Sequence, residues 1–163
     1  MGKDICIMID DTCFNFRVAC VTTNGDKMLL HRNFNDDFWN LVGGRVKCGE
    51  ITLDALIREL EEETNYKFDR DRFKLIQICE NFFIYNETKC HELDFIYHLE
   101  LNNDDELVKK QDFHSCDNPE LTYHWFDKSE ITPDKVKCLP EVIYKLAMRK
   151  KLNTIELDTE KSI

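Results

Sequence analysis

Two hydrophobic periods alternate along the chain. Runs rich in β-branched and aromatic residues mark strands over 4–9 and 13–23, over Met28–Arg32, and over Phe73–Tyr85, Cys90–Leu101 and Leu121–Phe126. Asn24-Gly25 joins the second of these to the third, a pair that readily takes the positive φ angles of a tight hairpin turn. Asn86-Glu87-Thr88-Lys89 is expected to turn the chain between the two longest strands. A helical period takes over at Thr52, where Leu53, Leu56, Ile57 and Leu60 fall on one stripe and neither Gly nor Pro intervenes before Asn65. Thr52 is the expected N-cap, Asp54 complements the helix dipole from the first turn, and Asn65 is the expected C-terminal stop. Pro140 opens a second helix to about Arg149, with Val142, Ile143, Leu146 and Ala147 as its apolar stripe. Asn102–Glu120 is polar, acidic and aperiodic, and is expected as a surface loop. One domain over 1–150 and a tail over 151–163 with a short extended piece account for the rest.

The first helix carries an unusual charge pattern. Glu59, Glu62 and Glu63 cluster beside the apolar stripe, at i, i+3 and i+4, while Asp54 and Glu61 take the solvent face. Such carboxylates repel one another by tenths of a kcal/mol per pair, roughly, in an isolated helix. A hard divalent cation, Mg²⁺ or Mn²⁺, would compensate, because these ions prefer carboxylate and water oxygens and bind together with substrate phosphates. Taken alone, E-x-x-E-E on a helix reads as a solvated charged face. Its surroundings change that reading. Gly43-Gly44 follows the apolar run Trp39-Asn40-Leu41-Val42, so a short strand ends where absent Cβ atoms allow close approach to the backbone.

From Gly44 to Tyr66 the chain resembles the Nudix box, G-x5-E-x7-R-E-U-x-E-E-x-G-U with U aliphatic, through Gly44, Glu50, Arg58, Glu59, Leu60, Glu62 and Glu63. It departs at Asn65, where Gly is usual, and at Val42, where many members have Pro. Asn tolerates the left-handed conformation well, so the helix stop should survive. The resemblance implies an α/β/α sandwich with a mixed sheet. It also implies metal-dependent hydrolysis of a phosphoanhydride in a nucleoside diphosphate linked to another moiety, by attack of metal-activated water on phosphorus. By resemblance, Glu59, Glu62 and Glu63 are the metal ligands, joined by the Gly43 carbonyl, and Glu50 and Arg58 are their supports. Glu120, just before the last strand, is the first choice for a further catalytic acid or base, and Glu92 the second. Arg45 is the preferred phosphate contact and Arg32 the other candidate. Trp39 and Phe83 lead a candidate base-stacking wall that also counts Phe82, Tyr85 and Trp125, although aromatic residues in strands more often fill the core. The alternative reading is a non-catalytic Nudix-like module that binds a nucleotide metabolite.

Composition narrows the partners. A net charge of −10 offers no Lys/Arg stripe for a long nucleic-acid backbone, while small phosphate substrates remain compatible if metal ions invert the local field. No apolar run is long enough to span a membrane, and the first residues lack the pattern of a secretory leader. Eight cysteines without a C-x-x-C pair favour reduced thiols in a cytoplasmic protein over zinc or disulfides. Nudix enzymes are often dimers, so a homodimer is also an expectation of the resemblance.

Overall fold

The computed structural model describes residues 2–152 and 154–161. The described elements are β1 (Cys6–Ile9), β2 (Thr12–Asn24), β3 (Lys27–Asn33), β4 (Asn40–Arg45), α1 (Thr52–Thr64), β5 (Phe73–Tyr85), β6 (Thr88–Glu100), β7 (Asp112–His114), β8 (Leu121–Asp127), α2 (Val142–Met148) and β9 (Glu156–Lys161), with short 3-10 turns between some of them.

All nine strands form one mixed sheet in the order β7-β8-β3-β4-β2-β6-β5-β9, with β1 added to β2. β2 runs parallel to β6, and β5 parallel to β9; the other pairs are antiparallel. Because side chains alternate across a strand, each face of the sheet collects its own core. Val18, Cys20, Leu29 and Val42 pack with Leu56 and Leu60 of α1. Ala19, Val21, Met28, Leu30 and Leu41 pack with Val142, Ile143 and Leu146 of α2. The result is the α/β/α sandwich, with helices covering both faces of the central strands.

One irregularity positions the site. β2 and β3 pair directly only beside their hairpin, at Thr22–Asn24 and Lys27–Leu29. They then splay, and β4 enters between them, pairing Cys20↔Val42 and Arg17↔Arg45 on one side and His31↔Asn40 on the other. The glycine pair thus lies on a central strand, directly beneath α1.

Several boundaries differ from the sequence reading for identifiable reasons. Ile51, not Thr52, takes the N-cap position, and no side chain caps the helix. The Thr52 hydroxyl is engaged instead with the hydroxyl of Tyr97 on β6, at 2.7 Å. Asn65 ends the helix in the left-handed conformation, φ 60°. The β5–β6 turn is tighter than expected, because Asn86 and Glu87 both take positive φ and the ladder resumes at Thr88. In the acidic segment after β6, Leu107 is buried and its carbonyl accepts the indole N–H of Trp125 at 3.3 Å, so this segment is tied to the core. It also supplies β7, which pairs with β8. Beyond residue 150, β9 lies parallel to β5 from Gln77↔Glu156 to Phe82↔Lys161, so the expected tail contributes an edge strand. Met1, Asn153, Ser162 and Ile163 lie outside the described residues.

Candidate active site

The loop into α1 is held by Arg58. Its Nε and Nη2 donate to the two oxygens of Glu50, at 2.8 and 3.0 Å, and Nη2 also donates to the Arg45 carbonyl at 3.1 Å. Nη1 donates to Glu59 at 2.6 Å and to Glu62 at 3.3 Å. Glu50 in turn accepts the Lys47 backbone N–H at 3.0 Å, which fixes the loop. The Arg58 guanidinium holds the Glu50 carboxyl below the usual carboxylate range.

Both glycines make room. A Cβ at Gly43 would run into the backbone of Val18 and Ala19, and a Cβ at Gly44 would overlap the carboxyl group of Glu59. Glu59 therefore approaches β4 more closely than any other residue type at position 44 would permit.

Glu63 is buried, and the Tyr123 hydroxyl on β8 donates to its carboxylate. Burial lifts the Glu63 pKa to about 7, opposed by the Tyr123 hydrogen bond and reinforced by the charge of Glu59. Burial also raises Glu59, where Arg58 opposes the shift and Glu62 adds to it. Glu62 is the outermost of the three, its side chain 43% exposed.

A cavity of about 740 Å³ opens beside Gly43 and Gly44, bounded by Glu59 and Glu63 on one side and by Arg17, Arg45 and Phe83 on others. Glu62, Glu120, Trp39 and Trp125 do not line it. Trp39 packs edge-on against Phe126, centroids 4.9 Å apart, and carries the Arg32 guanidinium over its ring at 4.8 Å. Its place in the base-stacking wall is thus taken up by packing beside α2. Glu120 is exposed, and its backbone is engaged in the loop, with its N–H on Asn118 and its carbonyl accepting Phe34 N–H. Glu120 sits at the end of the loop just before β8, as expected, but neither residue lines the cavity.

Glu92 does face the cavity, together with residues that sequence reasoning passed over: Asn15 and Arg17 on β2, His31 on β3 and Asn81 on β5. The available signal was on β2, where Cys13, Asn15 and Arg17 alternate with Phe14, Phe16 and Val18 and so give an apolar strand one polar edge of its pleat. His31 is buried and uncharged, its pKa pushed down to about 3 by burial and by the nearby Arg17 charge.

Among the described residues, no three carboxylate, imidazole or thiol groups converge tightly enough to enclose a cation as they stand. The donor chemistry nevertheless fits one. Arg58 Nη1 draws Glu59 and Glu62 onto a single nitrogen, and burial and mutual charge disfavour ionisation of Glu59 and Glu63. A hard divalent cation beside these oxygens reverses that penalty.

A mixed sheet between two helices, with a glycine pair and an acidic helix at the mouth of a central cavity, defines the Nudix class of fold. The NUDIX domain model matches residues 14–146, and the chain belongs to that family. The chain superposes on the mutator MutT protein of Bacillus halodurans with a TM-score of 0.64 at 15% identity, covering 91% of each chain. It superposes on a MutT NUDIX hydrolase of Burkholderia pseudomallei with a TM-score of 0.61 at 16% identity, covering 85% of this chain and 98% of the other. In sequence, it is 40% identical over 63 residues to an RNA pyrophosphohydrolase of Ruthia magnifica subsp. Calyptogena magnifica. That match spans 38% of this chain and 35% of the relative, about a third of its length.

Proposed function

We propose that the protein is a metal-dependent pyrophosphohydrolase that cleaves a phosphoanhydride bond in a nucleoside diphosphate linked to another moiety. The observation that carries this reading is the position of half-buried Glu59 and buried Glu63, two carboxyl groups at the wall of a cavity that also presents Arg17, Arg32 and Arg45. Its volume, about 740 Å³, lies within the range of small-molecule sites.

In this proposal Glu59, Glu62 and Glu63 hold Mg²⁺ or Mn²⁺, assisted by the Gly43 carbonyl. Glu50 and Arg58 fix the loop and orient Glu59 and Glu62. Arg45 contacts phosphate and Phe83 contacts the base. When bound, the cation neutralises phosphate charge and lowers the pKa of a coordinated water. Glu120, exposed and outside the cavity, is given no part in proton transfer.

A net charge of −10 favours small substrates over long nucleic acids. The RNA pyrophosphohydrolase relative supports a second substrate reading, the 5′ end of an RNA, which presents the same anhydride chemistry. Among the described residues no helix is long and apolar enough to cross a membrane. A cytoplasmic location, favoured by eight unpaired cysteines, and a homodimer belong to the same proposal.

The test is release of phosphate or pyrophosphate from a panel of nucleotide derivatives and a 5′-triphosphorylated oligoribonucleotide, with Mg²⁺ or Mn²⁺ present. Release abolished by EDTA and reduced at least about a hundred-fold by Glu62→Gln is expected. Tight nucleotide binding without turnover of any substrate would instead establish a binding module.

A further inference from the structure

On the cavity floor, Glu92 is held by neutral groups rather than by a cation. It is 7% exposed and lines the cavity. The Asn15 Nδ2 donates to its Oε2 at 2.6 Å, and the Asn81 Nδ2 donates to its Oε1 at 3.3 Å. Both amides are oriented from behind. The Asn15 Oδ1 accepts Arg45 Nε–H at 3.0 Å, and the Asn81 Oδ1 accepts the Cys79 thiol at 3.1 Å. Among the described residues Glu92 makes no ion pair.

A carboxylate offers about four lone-pair sites, and these two amides occupy one on each oxygen. The remaining acceptor capacity belongs to a nearly dehydrated, preorganised group, where an unanswered site is costly and an answered one is selective. Donors must come from the cavity side, since the flanks are filled by Asn15 and Asn81.

The neighbouring floor position narrows the ligand. Phe83 lies two residues beyond Asn81 on β5, so the two side chains share a face of the strand about 7 Å apart. An aromatic side chain stands roughly perpendicular to its sheet. A base stacked on Phe83 therefore turns its edge down to the floor, where Glu92 sits. From this arrangement we infer that Glu92 is the specificity-determining acceptor of the cavity and takes two adjacent N–H donors, the ring N–H and exocyclic amine of a guanine-type base. This inference rests on the nucleotide reading of the cavity and adds its base class. Arg45, linked to Glu92 through Asn15, then marks the phosphate side of the same ligand.

The test uses nucleoside monophosphates, which contain no phosphoanhydride and cannot be consumed by the proposed reaction. Affinities for GMP, IMP, AMP and 2′-deoxy-GMP are measured by calorimetry on the full chain and on Glu92→Gln. The expected order is GMP tighter than IMP and IMP tighter than AMP, with at least about a ten-fold difference between GMP and AMP. Glu92→Gln should bring the three within about three-fold, with thermal unfolding checked to confirm that the variant is folded. Phe83→Leu should weaken GMP and AMP alike and leave their ratio intact. A large loss for 2′-deoxy-GMP with GMP and AMP equal would assign the donors to ribose hydroxyls and overturn the inference. Equal affinity for all four, no binding of any, or a preference that survives Glu92→Gln would overturn it as well. Absence of anhydride hydrolysis with the GMP preference intact would refute the proposed reaction and leave the base assignment standing.

Discussion

Arg58 grips Glu50 with two parallel hydrogen bonds, Nε to Oε1 at 2.8 Å and Nη2 to Oε2 at 3.0 Å, eight residues apart in sequence. The remaining nitrogen reaches forward along α1 to Glu59 and Glu62. One planar fork therefore ties the loop to the helix and sets the spacing of two carboxylates. Both partners of the fork are largely buried, which separates this pair from exposed ion pairs of little net value.

Arg58→Lys is accordingly not a conservative change. A single ammonium cannot reproduce two parallel hydrogen bonds to Glu50 while also serving Glu59. Removing the fork should lower unfolding stability by about 2 kcal/mol, below the loss typical of a fully buried pair. It should also weaken Mn²⁺ binding by roughly ten- to a hundred-fold, as loss of groups that orient metal ligands commonly does. Urea unfolding and calorimetric Mn²⁺ titration measure the two effects; wild-type values in both would refute the role assigned to Arg58.

The two glycines should fail differently. At Gly44 the added Cβ meets the movable carboxyl group of Glu59, whereas at Gly43 it meets the backbone of Val18 and Ala19. Gly44→Ala should unfold within about 1 kcal/mol of wild type but lose about a hundred-fold in hydrolysis, because Glu59 is displaced. Gly43→Ala should lose roughly 3 kcal/mol of stability, since β2 and β4 must move apart. Thermal unfolding set beside activity separates the outcomes, and equal stability losses would contradict the geometry.

The contrast between these residues and the cavity floor shows what was legible in the sequence. Helix α1, its stop at Asn65 and the Asn24-Gly25 hairpin rest on local signals, periodicity and φ preference, and these survive folding. So does the spacing from Gly44 to Glu63, because it is carried by one loop and one helix. The Asn15–Glu92 hydrogen bond joins residues 77 positions apart and exists only because β2 and β6 run parallel in a register that places Asn15 opposite Glu92. No short-range pattern encodes that register. The same holds for β9, whose polar sequence takes its strand from pairing with β5. Trp39 illustrates the converse: its chemistry suits a base wall, but register places its ring against Phe126 and under the Arg32 guanidinium, outside the cavity lining.

Two buried groups pull stability in opposite directions with pH. Asp94 is fully buried, with Arg17 at 4.0 Å and one carboxyl oxygen without a partner. Burial raises its pKa to about 7, opposed by Arg17 and reinforced by Glu92. The folded protein thus keeps a proton on Asp94 that the unfolded chain loses near its ordinary value of 3.8. Its contribution is fully present below 3.8 and is lost as pH rises through about 7. His31 behaves in reverse. With its pKa lowered from 6.5 to about 3, it contributes stability above 6.5 that is lost as pH falls through about 3. Between pH 4.5 and 6 the two slopes oppose one another, so the useful quantity is each variant's difference from wild type, measured by urea unfolding without added metal. Asp94→Asn should gain on wild type as pH rises across this window, by on the order of 2 kcal/mol. His31→Gln should gain as pH falls, by a similar amount. Parallel pH profiles for wild type and both variants would mean that neither group titrates differently in the folded and unfolded states.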